Sequence, residues 1–195
     1  MISGVAAKMK MRFEPLTLSR WADFETLFGE RGACGGCWCM APRLSRKVWE
    51  SQKGAANKRA MKGLVRKGVV PGVIAYVGDK PVAWCSIGPR DDFPLLDRSR
   101  TLKRIDDQPV WSIVCLFLDK SLRKQGFSRD VIEGAVKYAG KQGAKIVEAY
   151  PFNPPGDKLP DPFVWTGLTP TYEAAGFEIA AARSKNRPVM RLYLR

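Results

Sequence analysis

The residues best suited to chemistry lie where an apolar run, residues 116–118, ends in a short polar turn. The turn reads Arg123-Lys124-Gln125-Gly126-Phe127-Ser128, and an amphipathic helix follows it directly. A strand that leads through a glycine turn into a helix aims several unpaired N–H groups, and the positive end of the helix dipole, at one point. The pattern therefore predicts a cradle for phosphate or pyrophosphate. The other interpretation is a plain turn with solvated basic residues, because short glycine motifs are weak evidence.

A second pattern lies about fifty residues downstream and reads Tyr172-Glu173-Ala174-Ala175-Gly176-Phe177. The two patterns together resemble the signatures of the GNAT superfamily of acetyl-CoA-dependent N-acetyltransferases, Gln/Arg-x-x-Gly-x-Gly/Ala followed by Tyr-x-x-x-Gly-Phe. Ser128 departs mildly from the small residue that ends the first signature. The resemblance extends from about Met9 to the C-terminus and implies acetyl-CoA as cosubstrate.

The resemblance also implies roles for individual residues. The CoA pyrophosphate is expected on Arg123, Lys124, Gln125, Gly126, Phe127 and Ser128, and the pantetheine along Leu116, Phe117 and Leu118. A backbone N–H of that strand is expected to polarise the thioester carbonyl. Tyr172 is expected to give a proton to the departing thiolate; without the resemblance, it would be interpreted as a core aromatic on a short helix.

The general base stays unassigned. Some branches of the superfamily carry a glutamate eleven residues before the Arg-x-x-Gly motif, where this chain has Ser112. Asp106, Asp107 and Glu148 could lie near the cleft through strand geometry. A water molecule could instead relay the proton, or the amine could bind in its neutral form.

The chain contains no histidine. This excludes Ser-His-Asp and Cys-His catalysis and any histidine-ligated metal centre. Direct attack of an amine on the thioester, the mechanism that the resemblance implies, needs no imidazole. The resemblance therefore implies an N-acetyltransferase that acts on a primary amine.

The elements that must position these residues can be traced by hydrophobic periodicity. Seven strands are predicted, over 9–14, 73–77, 82–87, 110–118, 145–149, 177–181 and 189–194. Helices are predicted near 19–28, over 56–65, after Gly126 and around Tyr172. The resemblance implies an α/β (α+β) fold: a single GNAT-type domain whose mixed, mostly antiparallel sheet of about seven strands is splayed at strands 4 and 5, with helices on both faces.

Length and composition favour one domain, since 195 residues with 45 % hydrophobic content can bury one full core. We expect residues 1–8 to be a flexible extension and residues 9–195 to form the transferase domain. No apolar run is long enough to span a bilayer and no secretory signal is recognisable. The five cysteines are an odd number, which favours a reducing cytoplasm. A monomer or homodimer is expected.

The net charge of +14 is concentrated between positions 43 and 67, where nine basic residues face one acid, Glu50. Such a surface could bind nucleic acid or an acidic partner. We favour a solvated helix face, because aromatic residues are not interleaved with the charge as base stacking would require. The alternative to an enzyme is a non-catalytic acyl-CoA-binding module that uses this basic surface.

A cysteine-rich loop reads Cys34-Gly35-Gly36-Cys37-Trp38-Cys39-Met40. Its spacing could hold zinc or act in thiol redox chemistry, but a zinc site needs a fourth ligand. Cys85 and Cys115 lie in predicted strands, so we do not expect them to converge on the loop, and no metal is predicted. In the GNAT fold this loop walls the acceptor side, which implies an acceptor pocket lined by Trp38, Cys39, Met40 and Trp165. Trp165 follows a proline-rich insertion, 151–162, that could cover that pocket.

Overall fold

Seven strands form one mixed sheet in the computed structural model, which describes residues 10–153 and 165–195. Their order across the sheet is β1-β2-β3-β4-β5-β7-β6. The strands are β1 (Arg12–Pro15), β2 (Val73–Val77), β3 (Lys80–Pro89), β4 (Trp111–Leu118), β5 (Ile146–Ala149), β6 (Glu178–Ala181) and β7 (Val189–Tyr193). The predicted extension, 1–8, and most of the proline-rich insertion lie outside the described residues.

Helices cover both faces of this sheet. They are α1 (Trp21–Phe28), α2 (Arg46–Ser51), α3 (Ala55–Arg66), α4 (Pro94–Arg98), α5 (Phe127–Lys141) and α6 (Thr169–Ala174). The sequence did not predict α2 and α4, which are only six and five residues long. Ser45 starts α2 by accepting the Val48 N–H on its side chain, and Pro94 occupies the first turn of α4, where its missing N–H costs nothing.

The sheet is antiparallel except between β4 and β5, which are parallel and connected through α5. These two strands pair only from Trp111 opposite Val147 to Ile113 opposite Ala149. β5 ends there, whereas β4 runs on to Leu118. The predicted splay between strands 4 and 5 is therefore confirmed, and the second half of β4 has no β5 partner.

A β-bulge lies at the point where the two strands part. Ile113 pairs with Ile87 and Cys115 pairs with Ser86, which leaves Val114 as an extra residue on β4. Ile113 and Leu116 belong to the core on the α5 face of the sheet, while Val114 and Cys115 belong to cores on the other face. The bulge thus places two successive side chains on the same face.

Three groups of buried side chains hold the domain together. The largest lies between the sheet and α5 and includes Val131, Ile132 and Tyr172. On the opposite face, α1 and α3 pack an aromatic cluster around Trp84 and Phe24, whose ring centroids are 4.9 Å apart. A smaller core around Tyr150 is covered by α4. No helix in the described ranges combines the length and the apolar character needed to cross a bilayer.

Candidate functional site

The glycine turn adopts a conformation that exposes its main chain. Gly126 is the N-cap of α5 with a φ of 85°, in the left-handed region, and a Cβ there would meet no atom within 4 Å. Lys124 also has a positive φ, 59°, and residues 124–126 are all exposed. The first N–H groups of a 15-residue helix have no intrahelical acceptor. The turn can therefore present main-chain donors to an anion.

The side chains of the turn are partly engaged. Arg123 turns back on the strand, where its Nε donates to the Leu118 carbonyl at 3.1 Å. Gln125 donates to the Ser121 carbonyl at 2.6 Å, which closes the preceding turn. Lys124 lies in solvent, so a full positive charge stands beside the free N–H groups. Main-chain donors with a cation beside them fit a pyrophosphate.

The second half of β4 presents polar main-chain groups to the gap between β4 and β5. The N–H groups of a strand alternate in direction, and Asp119 donates to the Val82 carbonyl of β3. The N–H groups of Leu116 and Leu118 therefore point away from β3, into the gap. The Leu116 N–H donates there to the Trp165 carbonyl oxygen at 2.7 Å. The described stretch that starts at Trp165 thus runs beside the part of β4 that does not pair with β5.

This stretch is anchored on its other side as well. The Phe152 N–H donates to the Gly167 carbonyl at 2.9 Å, and Thr169 donates to the Phe152 carbonyl at 3.3 Å. Gly167 has a φ of 77°, and a Cβ there would lie 2.8 Å from the Tyr172 ring and 3.1 Å from the Leu116 side chain. Only glycine allows the chain to approach both residues this closely.

Tyr172 lies on α6 and is completely buried. Its ring packs edge-on against Phe177, with centroids 5.2 Å apart, and its hydroxyl has no hydrogen-bond partner among the described residues. Burial raises the pKa of the Tyr172 phenol well above its ordinary value, so the group keeps its proton at neutral pH. A buried donor without an acceptor is uncommon in folded proteins, and the Trp84 indole N–H is another in the described part of the chain.

The predicted acceptor residues fall into two groups. Trp38, Cys39 and Met40 are at most 3 % exposed and belong to the aromatic cluster, where Trp38 stacks on Phe28. Trp165 is 40 % exposed and lies under the guanidinium of Arg187, 5.3 Å from its ring centroid. The three loop residues are therefore part of the core, whereas Trp165 presents surface.

Ser112, at the position of the superfamily's glutamate, belongs to a buried polar network that the sequence did not reveal. Its hydroxyl lies 2.8 Å from the Tyr150 hydroxyl, which donates to Glu148 at 2.8 Å. Glu148 is bound by two buried arginines, Arg90 at 3.0 Å and Arg191 at 2.8 Å. Because both its oxygens are engaged, Glu148 is a structural anion in this network. The partners are 43 and 58 residues from Glu148 in sequence, beyond the reach of local patterns.

Asp106, another carboxylate considered as a base, forms a bidentate salt bridge with Arg191. The two Nη–Oδ distances are 2.6 and 2.8 Å. These hydrogen bonds hold the pKa of the Asp106 carboxyl well below its ordinary value. A carboxylate in such a pair is a weak proton acceptor.

The expectation that the strand cysteines stay apart from the cysteine loop is wrong for Cys115. Its sulfur lies 3.5 Å from that of Cys39, because the bulge at Val114 turns Cys115 toward the loop. Even so, no group of three or more Cys, Asp or Glu side chains in the described ranges is arranged to hold a metal ion.

Two other surface features lie away from this site. A shallow cavity of about 170 Å³ lies at the other end of β4, beside Trp111 and Lys145. Several basic residues of α2 and α3 are engaged locally: Lys58 pairs with Glu25 at 2.8 Å and Lys62 lies over the Trp21 ring. Neither feature gathers the main-chain donors and buried phenol found beside β4.

A sequence model of the acetyltransferase (GNAT) family matches residues 40–158. No curated protein matches the chain in sequence. Among solved structures, the PaiA N-acetyltransferase from Thermoplasma acidophilum, solved with coenzyme A, superposes with a TM-score of 0.51 at 13 % identity, covering 95 % of this chain and 100 % of that one. A GNAT-family acetyltransferase from Streptococcus agalactiae gives 0.56 at 9 % identity, with 95 % and 96 % covered. PH1933 from Pyrococcus horikoshii gives 0.52 at 15 % identity, with 95 % and 99 % covered. At these identities, the likeness shows a shared fold.

Proposed function

The chain belongs to the acetyltransferase (GNAT) family, and we propose that it moves an acetyl group from acetyl-CoA to a primary amine by direct attack on the thioester. One observation carries the proposal. The gap beside β4 has the main-chain donors of the glycine turn at one end, the Leu116 N–H along its side, and the buried Tyr172 hydroxyl beside it. Acetyl transfer from CoA requires three groups: a site for the pyrophosphate anion, a hydrogen-bond donor to the thioester carbonyl, and a proton donor for the leaving sulfur.

The CoA pyrophosphate would be held by residues 123–128. The exposed main chain around Gly126 supplies N–H donors, the start of α5 supplies the positive end of its dipole, and Lys124 supplies a full charge. Arg123 is tied to the Leu118 carbonyl and so holds the turn against the strand. The open space above Gly126 leaves room for the ligand to approach the backbone.

The pantetheine would lie along residues 116–118. The Leu116 N–H would donate to the thioester carbonyl, and its hydrogen bond to the Trp165 carbonyl would then break. The exchange lowers the apparent affinity for acetyl-CoA, because the hydrogen bond from Leu116 to Trp165 must break before the thioester carbonyl can take its place. Leu116 would stabilise the negative charge that develops on the carbonyl oxygen as the amine nitrogen attacks the carbonyl carbon.

Tyr172 would supply the proton that the leaving sulfur needs. The C–S bond breaks, the sulfur takes the phenol proton, and the attacking nitrogen releases its own proton to water. A phenol with a raised pKa is a weak acid, but the same burial also raises the proton affinity of a thiolate formed beside it. Two of the carboxylates considered as the base, Glu148 and Asp106, are bound by arginines. We therefore propose that the amine enters in its neutral form.

The acceptor would bind on the Trp165 side of the gap, over a wall supported by Trp38, Cys39 and Met40. Trp165 offers an exposed aromatic face, which could pack against the apolar part of an amine. Those three residues are nearly fully buried, so Trp165 would supply the surface that meets the amine.

A release assay tests the proposal. Purified protein is incubated with acetyl-CoA and a panel of primary amines (small metabolites, aminoglycosides, peptide N-termini and lysine peptides), and free CoA thiol is measured. We expect at least one amine to raise thiol release above hydrolysis, with a product heavier by one acetyl group. Tight acetyl-CoA binding without turnover on any amine would instead favour an acyl-CoA-binding module, and a steep salt dependence of nucleic-acid binding would point to its basic surface.

A further inference from the structure

The cysteine loop and the strand β4, which are distant in sequence, bring cysteine side chains together. Cys37 and Cys39 belong to the cysteine loop and Cys115 to the strand. The Cys39 sulfur lies 3.5 Å from the Cys115 sulfur, and the Cys37 thiol lies 3.7 Å from the Gly32 carbonyl of the same loop. Cys39 is thus in contact with Cys115 and lies two residues from Cys37 in the loop.

The three thiols differ in access and in reactivity. Cys37 is partly exposed, whereas Cys39 and Cys115 are buried. The hydrogen bond from Cys39 lowers the pKa of the Cys37 thiol to about 6, against the opposing effect of burial. Burial raises the pKa of Cys39. At neutral pH, Cys37 is therefore the thiolate that solvent reaches, and a thiolate is the form that oxidants attack.

The loop backbone holds these sulfurs in place. Trp38 and Cys39 both have positive φ values, 43° and 53°, which residues other than glycine rarely adopt. Two tight glycine contacts fix the turn: a Cβ on Gly32 would lie 2.2 Å from the Trp38 ring, and one on Gly36 would lie 2.5 Å from the Gly54 nitrogen. The approach of Cys39 to Cys115 is thus built into the loop and is not a chance contact of mobile side chains.

We propose that Cys37, Cys39 and Cys115 form a thiol site that a hydroperoxide oxidises at Cys37 and that ends as a disulfide between Cys39 and Cys115. In the first step, the Cys37 sulfur takes the terminal oxygen of the hydroperoxide and becomes a sulfenic acid, while the remaining alkoxide takes a proton and leaves as an alcohol or, from hydrogen peroxide, as water. The Cys39 sulfur then attacks the Cys37 sulfur, an S–S bond forms, and the hydroxyl of the sulfenic acid leaves with the Cys39 proton as water.

In the last step, the Cys115 sulfur attacks Cys39 and the Cys37 sulfur leaves as a thiolate, while the Cys115 proton passes to solvent and replaces the proton that the alkoxide took. The thiol of lower pKa is the better leaving group, which drives the exchange away from Cys37. Two thiols and one hydroperoxide thereby give one disulfide, one molecule of water and one of alcohol. The two sulfurs need to move about 1.5 Å closer to reach the S–S bond length of about 2.05 Å. The product links the cysteine loop to the strand residue next to Leu116.

Peptide mapping of the oxidised wild-type protein tests the proposal without any variant. Reduced protein is treated with one equivalent of hydrogen peroxide, the remaining thiols are alkylated, and tryptic peptides are analysed by mass spectrometry. We expect the thiol titre to fall from five to three, and residues 32–43 to be linked to residues 105–120 through Cys39 and Cys115. Dithiothreitol should restore five thiols. A stable disulfide confined to residues 32–43, or sulfinic acid without any disulfide, would overturn the proposal.

A matched pair of variants tests the point of entry. Cys37→Ser should slow thiol loss at pH 7.5 at least about tenfold, because an ordinary thiol of pKa about 8.5 is less than about a tenth ionised there. Cys34→Ser removes an exposed cysteine of the same loop and should leave both the rate and the linked peptides unchanged. Equal rates in Cys37→Ser and wild type would exclude Cys37 as the entry point. None of these measurements assumes that the protein transfers acetyl groups.

Discussion

The Leu116 N–H and the Trp165 carbonyl form a 2.7 Å hydrogen bond across the gap that β5 leaves beside β4. The donor proposed for the thioester carbonyl is therefore occupied by the chain itself. Acetyl-CoA and the Trp165 stretch compete for one N–H group. A change that weakens the stretch should free the donor and tighten acetyl-CoA binding, because apparent affinity scales with the binding-competent fraction.

Gly167→Ala should weaken the stretch that starts at Trp165. At the Gly167 φ of 77° an alanine is strained by about 1–2 kcal/mol, and the added Cβ would press on Tyr172 and Leu116. We expect a lower free energy of unfolding together with tighter acetyl-CoA binding, measured by urea denaturation and calorimetry. Gly78→Ala is the control, since it has a φ of 58° in open space on the β2–β3 turn and should lose stability alone. Weaker binding in Gly167→Ala would argue against the competition.

Gly126→Ala should affect binding in the opposite direction. A methyl group there projects where the pyrophosphate would approach the backbone, so we expect acetyl-CoA affinity to fall about tenfold, the loss of one hydrogen bond to a charged group. Gly143→Ala is closely matched, with a φ of 89° against 85° and nothing within 4 Å in either case. Both variants should lose similar stability, and only Gly126→Ala should lose affinity. Equal affinities would remove Gly126 from the pyrophosphate site.

Tyr172→Phe should separate turnover from stability. The hydroxyl is buried without a partner among the described residues, so its removal should leave the free energy of unfolding unchanged or raise it by up to about 1–3 kcal/mol. The catalytic rate should fall about 100-fold or more if the phenol protonates the leaving sulfur. Tyr138→Phe, at the far end of α5, should change neither quantity. An unchanged rate in Tyr172→Phe would leave the proton transfer to water.

Glu148→Gln should be strongly destabilising. Glu148 is 1 % exposed between Arg90 and Arg191, and removal of its charge leaves two buried arginines short of a partner. We expect a loss of about 3–5 kcal/mol in urea denaturation. Glu133→Gln breaks an exposed pair with Arg129 and should cost at most about 1 kcal/mol. Similar losses in the two variants would show that the buried network contributes little to stability.

The Cys37 thiol predicts a pH dependence of stability. Its pKa is about 6 in the folded protein and near the ordinary thiol value of about 8.5 once unfolded, so the unfolded state binds more protons between these values. Its contribution is therefore full above pH 9, declines as the pH falls, and is lost below about pH 6. The stability difference between wild type and Cys37→Ser, measured under reducing conditions, should grow from pH 5.5 to 8.5 by up to about 1.4 kcal/mol per pH unit. A constant difference would contradict the lowered pKa.

Local patterns predicted much of the fold. The start of α5 followed from Gly126, and β4 followed from the apolar run that ends at Leu118. The family resemblance led to the splay of β4 from β5. The contact of Cys115 with Cys39 was missed, because a one-residue bulge at Val114 decides which face Cys115 takes. Bulges depend on pairing with another strand, and an apolar run such as β4 carries no alternation that would reveal one.

The sequence predicted which residues belong to the candidate site better than it predicted the contacts between them. The glycine turn and Tyr172 came from motifs. The Trp165 carbonyl did not, since main-chain acceptors have no sequence signature. The arginines that bind Glu148 were also missed, because ion pairs between distant strands depend on register.

The bulge at Val114 gives β4 one residue more than its pairing with β3 requires. Ile113 lies opposite Ile87 and Cys115 opposite Ser86, so deletion of Val114 would leave these pairs and every later pair unchanged. Phe117 would stay on the α1 face and the Leu116 N–H would stay in the gap. Val114 is therefore dispensable for the register of the strand but not for its packing, because its side chain belongs to the core around Tyr150.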